Sequence, residues 1–113
     1  MQIETRQAPG VLILTPLDRC LDVRVASEFR TALIDRIDAG SRNLIVNLSH
    51  VEFMDSSALG AIVSALKRIG RDGELKVCAA SAPVQRMFAL TRLDQVIPLL
   101  DREEDTIASF PAG

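Results

Sequence analysis

Apolar and polar residues alternate in short blocks at the start of the chain. Residues 2–6 place Ile3 and Thr5 opposite Glu4 and Arg6, and this period of two predicts a short edge strand. The VLILTPL run at 11–17 is mostly apolar and predicts a more buried strand that ends near Pro16. Pro9-Gly10 lies between the two segments and indicates a turn. The pattern therefore predicts an antiparallel hairpin.

After Leu21-Asp22 the period changes to about four residues. This spacing places one apolar face on a helix that starts near Asp22 or Ser27 and ends before Gly40, which suits the first position beyond a helix. The predicted face consists of Val25, Phe29, Ala32, Leu33 and Ile37.

Strand-like and helix-like segments alternate along the rest of the chain. The predicted elements are a central strand at 43–49, a helix within 53–70, a strand at 74–80, a helix from Ala82-Pro83, a strand at 96–100 and a weak helix at 101–110. Strands separated by helices imply parallel neighbours with right-handed crossovers. We therefore expect a single α/β domain over residues 1–113. It would have a mixed sheet of four to five strands, an N-terminal hairpin followed by parallel crossovers, and about four packed helices.

Composition narrows the class of protein. The chain has 113 residues, 48% of them apolar and 25% charged, with a net charge of −2. No basic block indicates a nucleic-acid partner, and no apolar run is long enough for membrane insertion. The N-terminus lacks a signal-peptide pattern, and Cys20 and Cys78 are far apart. We expect a cytoplasmic protein with reduced thiols and without a metal or cofactor. We also expect a monomer, because no apolar helix face is left over.

The FMDSSALGAIVSALKRIG stretch, residues 53–70, places Asp55, Ser56 and Ser57 where an apolar helical pattern begins. One interpretation is purely structural, since Asp and Ser are preferred helix N-caps. The other is a switch. If Asp55 or Ser56 caps the helix, Ser57 lies in its first turn, where the helix dipole tolerates a phosphate. The residues alone leave both interpretations open.

Small residues continue along the same helix. Gly60 and Ser64 lie away from the apolar stripe and would let another protein approach closely, whereas we expect Ala61 and Ala65 to pack inward. Met54 is expected either in the core or exposed beside Asp55.

The sequence gives little support for an enzyme. A serine hydrolase needs a base, but the only histidine is His50, and G-x-S-x-G is absent. Phosphate-binding glycine motifs are absent as well. The acids at 103–105 are typical of a solvated helix start.

The motifs in order resemble a STAS-domain protein of the bacterial anti-sigma factor antagonist type. VEFMDSSALGAIVSALKRIG at 51–70 is similar to the family's Asp-Ser-Ser-Gly-Leu-Gly signature. GELKVCAASAPVQRMFALTRLDQVI at 73–97 resembles the strand, helix and strand that follow it. Leu21-Asp22 resembles the Leu-Asp pair before the first helix.

The resemblance implies a non-enzymatic switch protein in which Ser57 accepts a phosphate. The unphosphorylated form would bind an anti-sigma factor with serine kinase activity and cause that factor to release its target. Phosphorylation would abolish binding, and a metal-dependent serine phosphatase would restore it. We expect the partner-binding residues to be Asp22, Met54, Asp55, Ser56, Ser57, Ala58, Gly60 and Ser64. The alternative is a STAS subunit of a membrane transporter or of a larger stress-signalling complex.

Two positions depart from the family pattern. Ala58 replaces the usual glycine, which predicts a stiffer first turn and an added methyl group at the docking surface. Arg19-Cys20 stands where many members have glycine in the turn before Leu-Asp.

Overall fold

The structure is a computed structural model, and it describes residues 1–111. The elements follow each other along the chain as β1 (Ile3–Ala8), β2 (Val11–Pro16), β3 (Cys20–Leu21), α1 (Ala26–Asp38), β4 (Asn43–Asn47), β5 (Phe53–Met54), α2 (Ser56–Ile69), β6 (Glu74–Cys78), α3 (Ala82–Leu90), a 3₁₀ turn (Leu93–Gln95), β7 (Leu99–Leu100) and α4 (Glu103–Ala108).

Five strands form the main sheet in the order β1-β2-β4-β6-β7. β1 and β2 pair antiparallel, and each later neighbour pairs parallel. The predicted hairpin, the parallel crossovers and the fold class are therefore confirmed. β4 is the central strand, and its Leu44, Ile45 and Val46 are completely buried. A parallel strand covered on both faces requires such a continuous apolar run.

Helices cover both faces of this sheet. α1, α2 and α3 pack on one face through a core that includes Phe29, Leu33, Ile62 and Phe88. α4 covers the other face, where Phe110 and the partly buried Ile107 pack with Val11, Ile13, Ile45 and Cys78. The apolar face predicted for α1 is confirmed, because Phe29, Leu33 and Ile37 are all inaccessible to solvent.

A buried lysine anchors the C-terminal end of this second layer. The Lys76 ammonium donates hydrogen bonds to the Ser109 carbonyl at 3.0 Å and to its hydroxyl at 2.9 Å. The same ammonium lies 4.4 Å from the centre of the Phe110 ring. These contacts satisfy a charge that would otherwise be costly to bury.

The structure differs from the sequence prediction at several element ends. β3 and β5 pair as a separate two-stranded sheet that the pattern did not predict, because two residues are too few to show a period. α1 begins at Ala26, so Ser27 lies at its start as one of the two expected positions, and no side chain caps its first turn. The predicted strand at 96–100 is reduced to Leu99–Leu100. Gly40 follows α1 with φ of +117°, as predicted for a residue just beyond a helix.

Candidate functional site

Asp55 is the N-cap of α2. Its backbone is extended, and its Oδ1 accepts hydrogen bonds from the backbone N–H groups of Ser57 at 2.9 Å and Ala58 at 3.1 Å. These are two of the N–H groups that the first turn of a helix leaves without an internal partner. The cap therefore defines where the helix starts and places Ser57 as its second residue.

The same aspartate attaches α2 to the loop after β3. Its Oδ2 accepts a hydrogen bond from the Val23 backbone N–H at 3.0 Å, and its own N–H donates to the Leu21 carbonyl at 3.0 Å. The parallel register of β3 and β5 pairs Leu21 with Met54. Asp22 and Asp55, each one residue further on, are therefore neighbours, as the family resemblance implied.

Asp22 is held by its neighbour Arg24. Its carboxylate accepts hydrogen bonds from the Arg24 backbone N–H at 3.0 Å and from the guanidinium, the shortest at 2.7 Å. The hydrogen bonds from the Arg24 side chain lower the pKa of Asp22 below its ordinary value. The carboxylate is therefore ionised at neutral pH and fixed in direction beside the start of α2.

The two serines differ in exposure. Ser56 is exposed, whereas Ser57 is half-buried as a residue. Ser57, which carries the candidate hydroxyl oxygen, is not enclosed in the core as its neighbours Ala58 and Leu59 are. It lies in the first turn of α2, where the helix dipole favours negative charge. A phosphate on this oxygen would be tolerated there.

The outer face of α2 is open beyond the serines. Gly60 is exposed, and a methyl group built on it would meet no atom within 4 Å. Ser64 is half-buried and lines a shallow groove with Arg30, Ile34 and Lys67. Ala61 and Ala65 face the core, as predicted, with exposures of 3% and 0%.

Two residues expected at the docking surface lie inside the molecule. Met54 is 1% exposed and Ala58 is fully buried. The expectation that the Ala58 methyl group adds to the docking surface is therefore wrong, since its side chain packs into the core between α2 and the sheet. Met54 belongs to the core as well, and the adjacent Phe53 is exposed instead.

Two exposed apolar side chains beside the site were missed from the sequence. Phe53 precedes Met54 in β5 and is 53% exposed, and Val23 follows Asp22 and is 71% exposed. Phe53 lies two residues before Asp55 in the chain, and the Val23 backbone N–H is bonded to the Asp55 carboxylate. A two-residue strand has too little periodicity to show which of its side chains faces solvent.

Other kinds of site find no support in the described part of the chain. His50 is exposed and makes no hydrogen bond to Ser56 or Ser57 among residues 1–111. Over the same residues, no group of three or more His, Cys, Asp or Glu side chains is arranged to hold a metal ion. None of the helices described has both the length and the apolar character needed to cross a membrane.

The domain has a mixed five-stranded sheet, and its second helix is capped by an aspartate and carries a serine in its first turn. These features together define a class of small α/β domains. Residues 2–106 match the STAS domain family, and the chain belongs to that family. The resemblance seen in the sequence is thereby confirmed.

One curated relative agrees with this assignment, and several solved structures share the fold. The anti-sigma F factor antagonist of Paenibacillus polymyxa is 31% identical over 112 residues, which cover 97% of this chain and 95% of the relative. An anti-sigma factor antagonist from Mycobacterium paratuberculosis superposes with a TM-score of 0.89 at 22% identity, covering 96% of this chain and 92% of the other. The antagonist SpoIIAA in its unphosphorylated form gives a TM-score of 0.80 at 19% identity, covering 94% and 93%. The Bacillus SpoIIAA structure in the phosphorylated form gives a TM-score of 0.73 at 18% identity, covering 95% of this chain and 97% of the other.

Proposed function

We propose that this protein is an anti-sigma factor antagonist whose binding is switched by phosphorylation of Ser57. The unphosphorylated form binds an anti-sigma factor with serine kinase activity and makes it release its target. The kinase then phosphorylates Ser57 and ends the complex, and a metal-dependent serine phosphatase removes the phosphate. The observation that carries the proposal is a half-buried serine in the first turn of a helix already capped by Asp55.

The capping geometry supports a switch that leaves the fold intact. Asp55 supplies the helix cap, so the Ser57 hydroxyl has no structural duty at the helix start. A phosphate adds about −1.5 to −2 charges at neutral pH, and the positive end of the helix dipole tolerates them. The domain therefore keeps its stability when it is modified.

Phosphorylation of Ser57 has the opposite effect on a partner that binds the same surface, because it weakens that binding. Docking on Ser56, Ser57 and Gly60 would strip water from the phosphate, and burying an unpaired charge is unfavourable. Asp55 adds negative charge to the same surface, whereas the charge of Asp22 is paired with Arg24. Binding is therefore weakened while the folded domain is unchanged, which is the requirement for a switch.

The relatives support the proposal by their names. The Paenibacillus polymyxa relative is an antagonist of an anti-sigma factor, and SpoIIAA exists in unphosphorylated and phosphorylated forms. In this chain, Ser57 is the serine that combines a first-turn position with a backbone N–H bonded to the cap.

The test is phosphorylation in vitro by an anti-sigma factor kinase from the same organism with ATP. Intact mass should show one added phosphate, and peptide mapping should place it on Ser57. Ser57→Ala should abolish the modification, whereas the matched control Ser56→Ala should retain it. Phosphate on another residue with Ser57 unmodified would refute the assignment.

A binding measurement completes the test. Ser57→Glu should weaken the complex with the kinase at least tenfold by calorimetry, because it places a carboxylate on the docking surface. Its free energy of unfolding should stay within about 0.5 kcal/mol of the wild type, as is usual for surface changes. Equal affinity of Ser57→Glu and wild type would contradict the switch.

A further inference from the structure

An apolar groove lies between β5 and α3, beside the start of α2. It encloses about 260 Å³. The buried Met54 and Val84 lie beneath it, and Phe53, Met87 and Leu90 line its sides. No part of residues 1–111 fills this space. The domain therefore presents a preformed apolar depression to solvent.

The groove is bordered by large apolar side chains that the fold leaves in water. Phe53 is 53% exposed and Leu90 is 84% exposed. Pro83, Met87 and Leu90 lie at spacings of four and three on α3, so they share one face of that helix. Contiguous exposed apolar surface of this kind is typical of interaction sites.

The groove is continuous with the surface proposed for the switch. Its Phe53 and Met54 form β5, and the chain passes directly from them into the cap at Asp55. On the other side of that cap lies the exposed Val23, whose N–H is bonded to the Asp55 carboxylate. A protein that covers Ser57 would also meet the entrance of the groove.

The charge at the rim of the groove is unbalanced. Glu52 is neutralised by Arg19, whose Nε lies 2.7 Å from its carboxylate. Arg86 also lines the groove, and it has no acidic partner within the residues that the structure describes. The Arg86 guanidinium is therefore available to pair with a docked carboxylate.

We propose that this groove seats an amphipathic segment of the anti-sigma factor, with aliphatic side chains against Phe53, Met87 and Leu90 and an acidic side chain facing Arg86. Apolar grooves beside a helix commonly take up such segments. This inference rests on the proposed function and extends the docking surface from α2 to α3. Contacts in the groove strengthen binding of the anti-sigma factor, whereas phosphorylation of Ser57 ends that binding.

The test uses the purified anti-sigma factor kinase that phosphorylates Ser57. Titration calorimetry should show at least tenfold weaker binding for Leu90→Ser and for Arg86→Glu. The matched controls are Val96→Ser and Arg71→Glu, because Val96 is 59% exposed outside the groove and Arg71 is exposed beyond the far end of α2. Both controls should bind within twofold of the wild type. The loss in Arg86→Glu should shrink as salt is raised, since added salt screens an ion pair at the rim.

The outcomes separate this inference from the proposed function. If Leu90→Ser and Arg86→Glu bind as tightly as wild type while Ser57→Glu does not bind, the groove proposal is overturned and the switch stands. If the wild type binds no anti-sigma factor kinase, both are overturned. Light scattering tests whether the groove binds a second copy of this chain instead. If Leu90→Ser converts a dimer into a monomer without changing affinity for the kinase, the groove binds a second copy of this chain and the proposal is wrong.

Discussion

The backbone N–H of Val23 donates a hydrogen bond of 3.0 Å to Oδ2 of Asp55, thirty-two residues later in the chain. The other carboxylate oxygen of Asp55 caps α2 at Ser57 and Ala58. One side chain therefore fixes both the start of the helix and the loop that carries Asp22. The proposed switch residue and its acidic neighbour keep their relative positions because of this double contact.

Replacing the cap should destabilise the domain. Asp55→Ala removes two capping hydrogen bonds and the bond to Val23, and we expect a loss of about 2–3 kcal/mol in the free energy of unfolding. Asp55→Asn keeps one acceptor oxygen and should lose about half as much. Urea denaturation measures both. Asp72→Ala, at an exposed turn, is the control and should stay within about 0.5 kcal/mol of the wild type. An Asp55→Ala variant as stable as the control would mean that the cap contributes little.

Two substitutions on α2 should shift stability in opposite directions. Ala58→Gly removes a buried methyl group and adds backbone freedom, so it should cost about 1–2 kcal/mol. Gly60→Ala, in open space on the exposed face, should stabilise the domain by about 0.5–1 kcal/mol. Thermal or urea unfolding distinguishes the two. Stabilisation by Ala58→Gly would show that the first turn is strained by alanine, contrary to its packing here.

The Asp22 carboxyl should titrate below its ordinary pKa because of the hydrogen bonds from Arg24. A pKa lowered by folding contributes stability above the unfolded value of about 3.9, and this contribution is lost as the pH falls through the folded value. Carbon-detected NMR titration should therefore find a depressed pKa in wild type and a higher pKa in Arg24→Gln. Arg30→Gln, an exposed change on α1, should leave the Asp22 value as in wild type. An equal Asp22 pKa in wild type and Arg24→Gln would remove the assigned cause.

The two thiols should react very differently. Cys20 is exposed and Cys78 is buried, and burial, followed by the charge of Glu103, raises the pKa of Cys78 to about 11. Because folding raises this pKa, the neutral thiol stabilises the domain fully below pH 9 and progressively less as the pH rises towards 11. A disulfide reagent at pH 8 should modify one thiol quickly and the second only after denaturation. Cys20→Ser should abolish the fast reaction, and a fast reaction in that variant would place Cys78 within reach of solvent.

The sequence determined the main elements because their patterns extend over many residues. The run from Leu44 to Val46 indicated a central strand, and the four-residue period from Phe29 to Ile37 indicated the first helix. The Asp-Ser-Ser run before Leu59 likewise predicted the start of α2 and the position of Ser57. These features depend on the local conformational preference of each residue and on which side chains are apolar. The order of residues along the chain contains both kinds of information.

Only the tertiary structure decided which side chains share a surface. The β3–β5 pairing brings Val23 to Asp55, turns Phe53 outward and sends Met54 inward, although each strand has only two residues. The burial of Ala58 and the groove beneath Leu90 depend in the same way on how α2 and α3 pack against the sheet. Contacts between segments thirty residues apart arise from the geometry of packing, and no short pattern along the chain encodes them.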